Sequence, residues 1–220
     1  HDPLIPGPDD FLLLSSPNLT QKLANLTVSG LHEGSLKLNS PKFDKSINIL
    51  VSAVLEDAFN DLNTDVDLTK LNFSDSSKSN QEKYIKELSE VYKNFLGTYL
   101  DEMNNLEKNL TEIGESGFTN QNIKNYYENK TSEFQSIFNE LLIMSIPENW
   151  RTNHLNFLGT VGQLAEVNSY IANGENDPIK ALIGLNIFVE ILDFVPVITR
   201  AYLKEIEKEA LNVESTIFEK

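Results

Sequence analysis

Residues 79–113 read SNQEKYIKELSEVYKNFLGTYLDEMNNLEKNLTEI, and the spacing of their apolar side chains decides the fold. Ile85, Leu88, Tyr92, Phe95, Tyr99, Met103, Leu106, Leu110 and Ile113 follow one another at steps of three and four, the seam of a coiled coil with one extra step near Tyr99. The stripe predicts one continuous helix from about Ser79 to Ile113, roughly 50 Å long at 1.5 Å per residue. Gly114 and Gly117 supply its stop, and Thr119 or Asn120 caps a second helix. That helix buries Ile123, Tyr126, Tyr127, Phe134, Ile137, Phe138, Leu141 and Leu142 and runs until Pro147. Two long helices on so short a turn form an antiparallel hairpin.

Downstream the punctuation is equally helical. The next helix spans about Glu148 to Asn173, with Trp150, Leu155, Leu158, Val161, Leu164, Val167 and Ile171 inward and Asn173-Gly174 closing it. Asp177 as N-cap with Pro178 at the first helical position opens another, which reaches about Leu211 with a kink expected at Pro196. The tail from Asn212 to Lys220, carrying Val213, Ile217 and Phe218, reads as a short strand or an extended clasp.

Upstream, residues 1–17 hold four prolines and no helical period, so they read as an extended segment. Pro17 or Asn18 starts a short helix through Leu19, Leu23, Leu26 and Val28, and Ser40-Pro41 starts a second that runs to about Leu62. Partly alternating apolar residues between Thr64 and Phe73 suggest an extended stretch or a short edge strand, followed by a Ser-rich linker at 74–79. The expectation is an all-α, elongated multi-helix bundle built on long antiparallel helical hairpins, with at most a short two-stranded element. Residues 1–17 form its extended N-terminal segment and 18–220 a single helical domain.

Composition excludes several functional classes. With 18 basic and 33 acidic residues the chain carries a net charge of −15, which repels phosphate backbones and anionic lipid headgroups, so no nucleic-acid partner is expected. Zero cysteines remove disulfides, thiolate metal sites and cysteine nucleophiles. Residues 179–203 are apolar but interrupted by Lys180, Asn186, Glu190, Asp193 and Arg200, which favours a buried core helix over a membrane span. Phe11-Leu12-Leu13-Leu14 is too short for the core of a signal peptide and follows two aspartates. Because the chain opens His1-Asp2-Pro3, the reading expects an upstream segment that could serve as an anchor. Five Asn-x-Ser/Thr sequons, at Asn18, Asn25, Asn72, Asn109 and Asn129, are near what an asparagine-rich composition produces by chance.

Catalytic signatures are missing too. There is no pair of Glu-x-x-His helices for a di-iron centre, no His-Glu-x-x-His, no phosphate-cradling glycine loop with lysine and no Gly-x-Ser-x-Gly elbow. No cofactor and no metal site are expected. What remains is a set of isolated polar and aromatic residues. Trp150 and His154, four apart, share a helix face and could stack and orient a ligand; the plainer reading makes Trp150 a core anchor beside the Pro147 turn and has His154 hydrogen-bond a neighbouring backbone group or carboxylate. Tyr126 and Tyr127, with Tyr84, Tyr92 and Tyr99, could line a groove or simply fill the hairpin core. Glu190 and Asp193, three apart, could act as an acid/base pair in a groove, or face solvent.

Four segments together resemble a family of uncharacterised helical proteins of candidate-phyla (Patescibacteria-type) bacteria: Asn18-Leu19-Thr20 with its short helix, Ile146-Pro147 leading to His154-Leu155, the helix start Asp177-Pro178-Ile179-Lys180-Ala181-Leu182, and Val213 to Phe218. The resemblance implies an extracytoplasmic protein, secreted or anchored through an N-terminal segment and associated with type IV pilus or secretion machinery. It transfers no functional residue. The expected function is a non-enzymatic interaction or structural protein with a protein partner. The alternative is a ligand-binding helical module with a groove near Trp150 and His154, and a third reading is a hydrolase or lyase using Glu190 and Asp193.

Overall fold

The computed structural model describes residues 18–34, 36, 43, 45–49, 51–52, 56, 68–192 and 194–218. Six helices with defined bounds and one two-stranded sheet make up these residues, an all-α bundle as expected. They are α1 (Leu19–His32), β1 (Asn72–Ser74), α2 (Lys78–Ser116), α3 (Gln121–Leu142), β2 (Ser145–Pro147), α4 (Arg151–Ala172), α5 (Pro178–Leu192) and α6 (Val195–Lys208). The extended segment 1–17, most of the helix expected from Pro41 to Leu62, and residues 64–67 lie outside the described residues; those described between 43 and 56 are helical.

The hairpin of α2 and α3 forms as the periodicity predicts, and Gly117 closes α2 at φ 66°, a left-handed conformation open to glycine at little cost. Its seam differs from the expected one. Met103 and Leu110 are 40% and 41% exposed, whereas Glu102 and Asn109 are 2% and 5% exposed. The buried series is Gln81, Leu88, Phe95, Glu102, Asn109, an unbroken step of seven. The extra step near Tyr99 does not occur. Neighbouring residues of a helix point about 100° apart, so burying Met103 would swing the contact face away from α3 and α4 halfway along α2. Continuity of packing wins over the chemistry of two side chains.

Helix α3 ends at Leu142 rather than at Pro147, because the residue before a proline is pushed toward extended backbone and Ser145–Pro147 instead pairs with the strand at Asn72–Ser74. The pairing is parallel, Phe73 opposite Ile146, with the whole α2–α3 hairpin as its crossover. The Arg151 guanidinium covers the outer face of Phe73, 4.5 Å from the ring centre.

The helix expected from Asp177 to Leu211 is two helices, not one kinked helix. Pro196 lacks an N–H, and its ring conflicts with the carbonyl four residues earlier, that of Leu192, where α5 stops. The Tyr99 hydroxyl faces that released carbonyl at 3.4 Å. Pro178–Lys208 is long and apolar enough to cross a membrane by length and composition, but it is divided at this point and about half of its apolar window is buried in the bundle. Among the described residues the tail after α6 is a clasp without strand structure: the Ile217 N–H donates to Ser89 Oγ at 2.7 Å, and the Phe218 ring, 4% exposed, meets Tyr92 at 5.4 Å and Tyr202 at 6.0 Å.

Asp177 joins the beginning of the chain to its end. One carboxylate accepts from the N–H groups of Leu19 (2.6 Å) and Thr20 (3.0 Å) and from the Thr20 hydroxyl (2.6 Å) at the start of α1, and from the Lys180 N–H (3.2 Å) at the start of α5. Thr20 Oγ1 in turn accepts from the Ile179 N–H at 3.1 Å. Two helix N-termini, each positive by its dipole, share one buried anion. Asn18 completes the cap of α1 by accepting from the Gln21 N–H at 2.8 Å. Beside this junction α4 and α5 approach closely at Gly184, where a Cβ would stand 3.2 Å from the Val167 carbonyl. Asp177→Ala strips the acceptor from both helix starts, and chemical denaturation should show a loss of about 2–4 kcal/mol; Asp177→Asn, which keeps one oxygen, should lose about half of that. A loss below about 0.5 kcal/mol for the alanine variant would show that the shared cap contributes nothing beyond an exposed one.

Candidate functional site

Trp150 and His154 occupy the centre of the molecule. Both are 0% exposed. Pro147 and the single 3-10 turn Glu148–Trp150 drop the indole between α2 and α6, where its Nε1–H donates to Gln81 Oε1 at 2.9 Å and its ring stacks on Tyr202 with centroids 5.8 Å apart and planes 13° from parallel. His154, one turn into α4, places Nδ1 3.0 Å from the Tyr84 hydroxyl, and that hydroxyl stands 3.4 Å from the hydroxyl of Tyr202. Phe157, missing from the expected inward face of α4, adds a ring 4.9 Å from Phe95.

Tyr126 and Tyr127 stand elsewhere. They belong to a separate apolar cluster with Ile113, Ile123, Ile171, Ala172 and Leu185. Tyr127 is buried, and the half-buried Tyr126 points its hydroxyl at Asp101 Oδ2, 3.2 Å away. The four residues considered for a ligand site are therefore not brought together. Glu190 is exposed on α5, and Asp193 lies outside the described residues. Among the described residues no group of three or more His, Asp or Glu side chains is arranged to hold a metal ion.

A groove of about 780 Å³ does form between the N-terminal half of α4 and the junction of α5 with α6. One edge is a polar ladder on α4, Asn153, Asn156, Thr160 and Gln163, which spacings of three and four set on one face. The opposite wall is apolar: Ile187 and Ile191 from α5, Ile198 from α6, and the junction residues Phe194 and Val197, which are 59% and 49% exposed. Glu190 stands on its rim and Tyr202 at its floor. Tyr202 thus separates the groove from the buried Trp150–His154 pair, which does not line it. The sequence carried the polar ladder in plain view as Asn153-x-x-Asn156-x-x-x-Thr160-x-x-Gln163. Nothing in it said that the helix would break beside that ladder and open a wall.

His154 has a definite electrostatic state. Burial lowers its pKa to about 4 from an ordinary 6.5, with the Leu141 main chain opposing the shift in part, and Nε2 has no hydrogen-bond partner. The ring is neutral in the fold and protonates first in the unfolded chain. Stability from this group is therefore complete above pH 6.5 and is lost as pH falls from 6.5 through 4, by roughly 3 kcal/mol in total. His154→Gln removes this titration, so denaturation curves at pH 7 and pH 4 should differ less for the variant than for the parent by that amount; equal acid losses would reject the assignment.

No family model matches the chain, and no curated protein and no solved structure matches it either.

Proposed function

We propose that the chain is a non-enzymatic interaction protein whose groove between α4, α5 and α6 receives an apolar segment of a partner protein. The observation that carries this reading is the wall at the α5–α6 junction: Phe194 and Val197 stand largely in solvent directly across from an amide and hydroxyl ladder. Side chains of that kind bury area on docking, while the ladder satisfies main-chain groups at the rim. Catalysis is poorly served there. Among the described lining residues Glu190 is the single carboxylate and there is no histidine. The net charge of −15 favours a partner whose apolar segment is flanked by basic residues.

A ligand-binding module is the second reading, favoured by one observation: about 780 Å³ lies within the range of small-molecule sites. The extracytoplasmic placement, and the association with pilus or secretion machinery, rest on the family resemblance. A reporter active on one side of the membrane only, fused to the full-length gene product, tests that placement. Reporter activity confined to the cytoplasm rejects it.

A photo-crosslinking residue placed at Phe194 or at Val197 should yield the same protein adduct from its source cells. The same residue placed at Ile143, 83% exposed on another surface, should not. Val197→Asp should abolish the adduct, weakening binding by at least tenfold while leaving stability within about 0.5 kcal/mol. A small molecule retained in native mass spectra and lost in Val197→Asp selects the second reading, and adducts independent of position defeat the first.

A further inference from the structure

The chain enters the described fold at one end of the crevice that holds the groove. Asn156, Thr160, Gln163, Glu166, Tyr170 and Asn173 follow one another at steps of three and four and so share one face of α4. The first three line the groove; the last three line a smaller hollow of about 240 Å³, together with Lys180 of α5 and Asn18. Hollow and groove therefore lie in line along α4. Asn18 is fixed at the hollow, its Nδ2 donating to the Asn176 carbonyl at 2.6 Å beside the Asp177 cap. Residue 17 is attached at this point.

Reach and chemistry single out what lies next. Ser15-Ser16-Pro17 separate Asn18 from Phe11-Leu12-Leu13-Leu14, the longest apolar run before it, and Asp9-Asp10 stand just ahead of that run. The run lies four to seven residues before Asn18, a span of about 13–23 Å at roughly 3.3 Å per extended residue. Along α4, Gln163 and Asn156 stand ten and seventeen residues before Asn173, about 15 and 26 Å at 1.5 Å per residue. The two intervals overlap, so the apolar run reaches the apolar wall formed by Ile187, Ile191, Phe194 and Val197. The stacking of Tyr202 on Trp150 shows that α6 runs toward the start of α4. Lys204, exposed, follows Val197 and Ala201 at steps of four and three on the groove face of α6, where it would meet the charge of Asp9 and Asp10.

We propose that residues 11–14 of this chain occupy the groove in the free protein and that a partner must displace them. The inference rests on the groove being a docking surface, as read above, and adds its regulation. A segment held on a tether of a few residues is present at its site at an effective concentration on the order of millimolar, so a weak contact fills the groove and still yields to a tighter partner. The exposed Phe194 and Val197 then have a cover supplied by the same molecule.

A photo-crosslinking residue at Val197 in the purified full chain tests this with no partner present. Peptide mass spectrometry should find an intramolecular link to residues 9–14, in a yield independent of protein concentration, and none from the same residue at Ile143. Phe11→Asp combined with Leu13→Asp should cut that link at least tenfold while leaving the denaturation midpoint unchanged. A synthetic peptide of residues 8–17 should then crosslink to the double variant at least tenfold more efficiently than to the parent. Absence of the link in the parent, or equal labelling of parent and variant by the peptide, would overturn the proposal. So would a link between two molecules whose yield rises with concentration, which would make a second copy the occupant. The intramolecular link without any partner adduct from cells upholds this inference and defeats the partner reading. A partner adduct of equal yield in parent and double variant, without that link, does the reverse.

Discussion

The hydrogen bond from the Trp150 indole to Gln81, together with the stacking of that indole on Tyr202, is the constraint on which the rest of the bundle depends. A fully buried tryptophan removes more apolar surface from water than any other side chain, but only if its N–H finds an acceptor. Gln81 supplies one from the first turn of α2, and the same amide oxygen accepts from the Asn149 side chain at 2.9 Å. The bond sets the height of α4 against α2. Once that height is set, His154 reaches Tyr84, Phe157 reaches Phe95, and α6 has a surface of rings against which Tyr202 and Phe218 close. The groove follows from the same arrangement, since Tyr202, held from behind by Trp150, forms its floor.

Toward the other end the molecule is built on different chemistry. The seam of α2 passes from Leu88 and Phe95 to Glu102 and Asn109, and the facing helices answer with Tyr127, Lys130 and Asn168. An apolar half and a polar half therefore share one continuous helix. Polar groups in a seam lower stability relative to leucine but restrict register, since a slip of one residue strands every one of them. The aromatic end is held by packing, while at the polar end Lys130 bridges Asp101 and Glu133 at 2.8 Å from each. Burial disfavours the charged form of both His154 and Glu102, lowering the pKa of the first and raising that of the second, so the two ends carry opposite pH dependences.

Much of this was legible beforehand. The long helix, its glycine stop, the hairpin, a helix start at Pro17 or Asn18 and Asp177-Pro178 as a helix start all follow from local steric and hydrogen-bonding rules that act within four residues. The plainer reading of Trp150 as a core anchor matches its full burial, while His154 Nδ1 meets the Tyr84 hydroxyl and not a carboxylate. The seam beyond Tyr99 was misread for a specific reason: a pattern of threes and fours assigns burial by hydrophobicity, and Met103 and Leu110 are more hydrophobic than Glu102 and Asn109. The groove was illegible because its two sides come from helices that only meet once α5 has stopped at Leu192.

The sequence by itself determined where most of these helices begin, the glycine stop of α2 and the broad class of fold they build, because caps, prolines and glycines act on their own few residues. Only the tertiary structure decided that Asn72–Ser74 pairs with Ser145–Pro147, that Asp177 caps two helices at once, that Glu102 faces Asn168, and that Phe194 and Val197 remain in solvent across from the amide ladder. Each of these joins residues far apart in the chain. Their energies depend on contacts and desolvation that exist only after the helices have packed, and no local pattern records them.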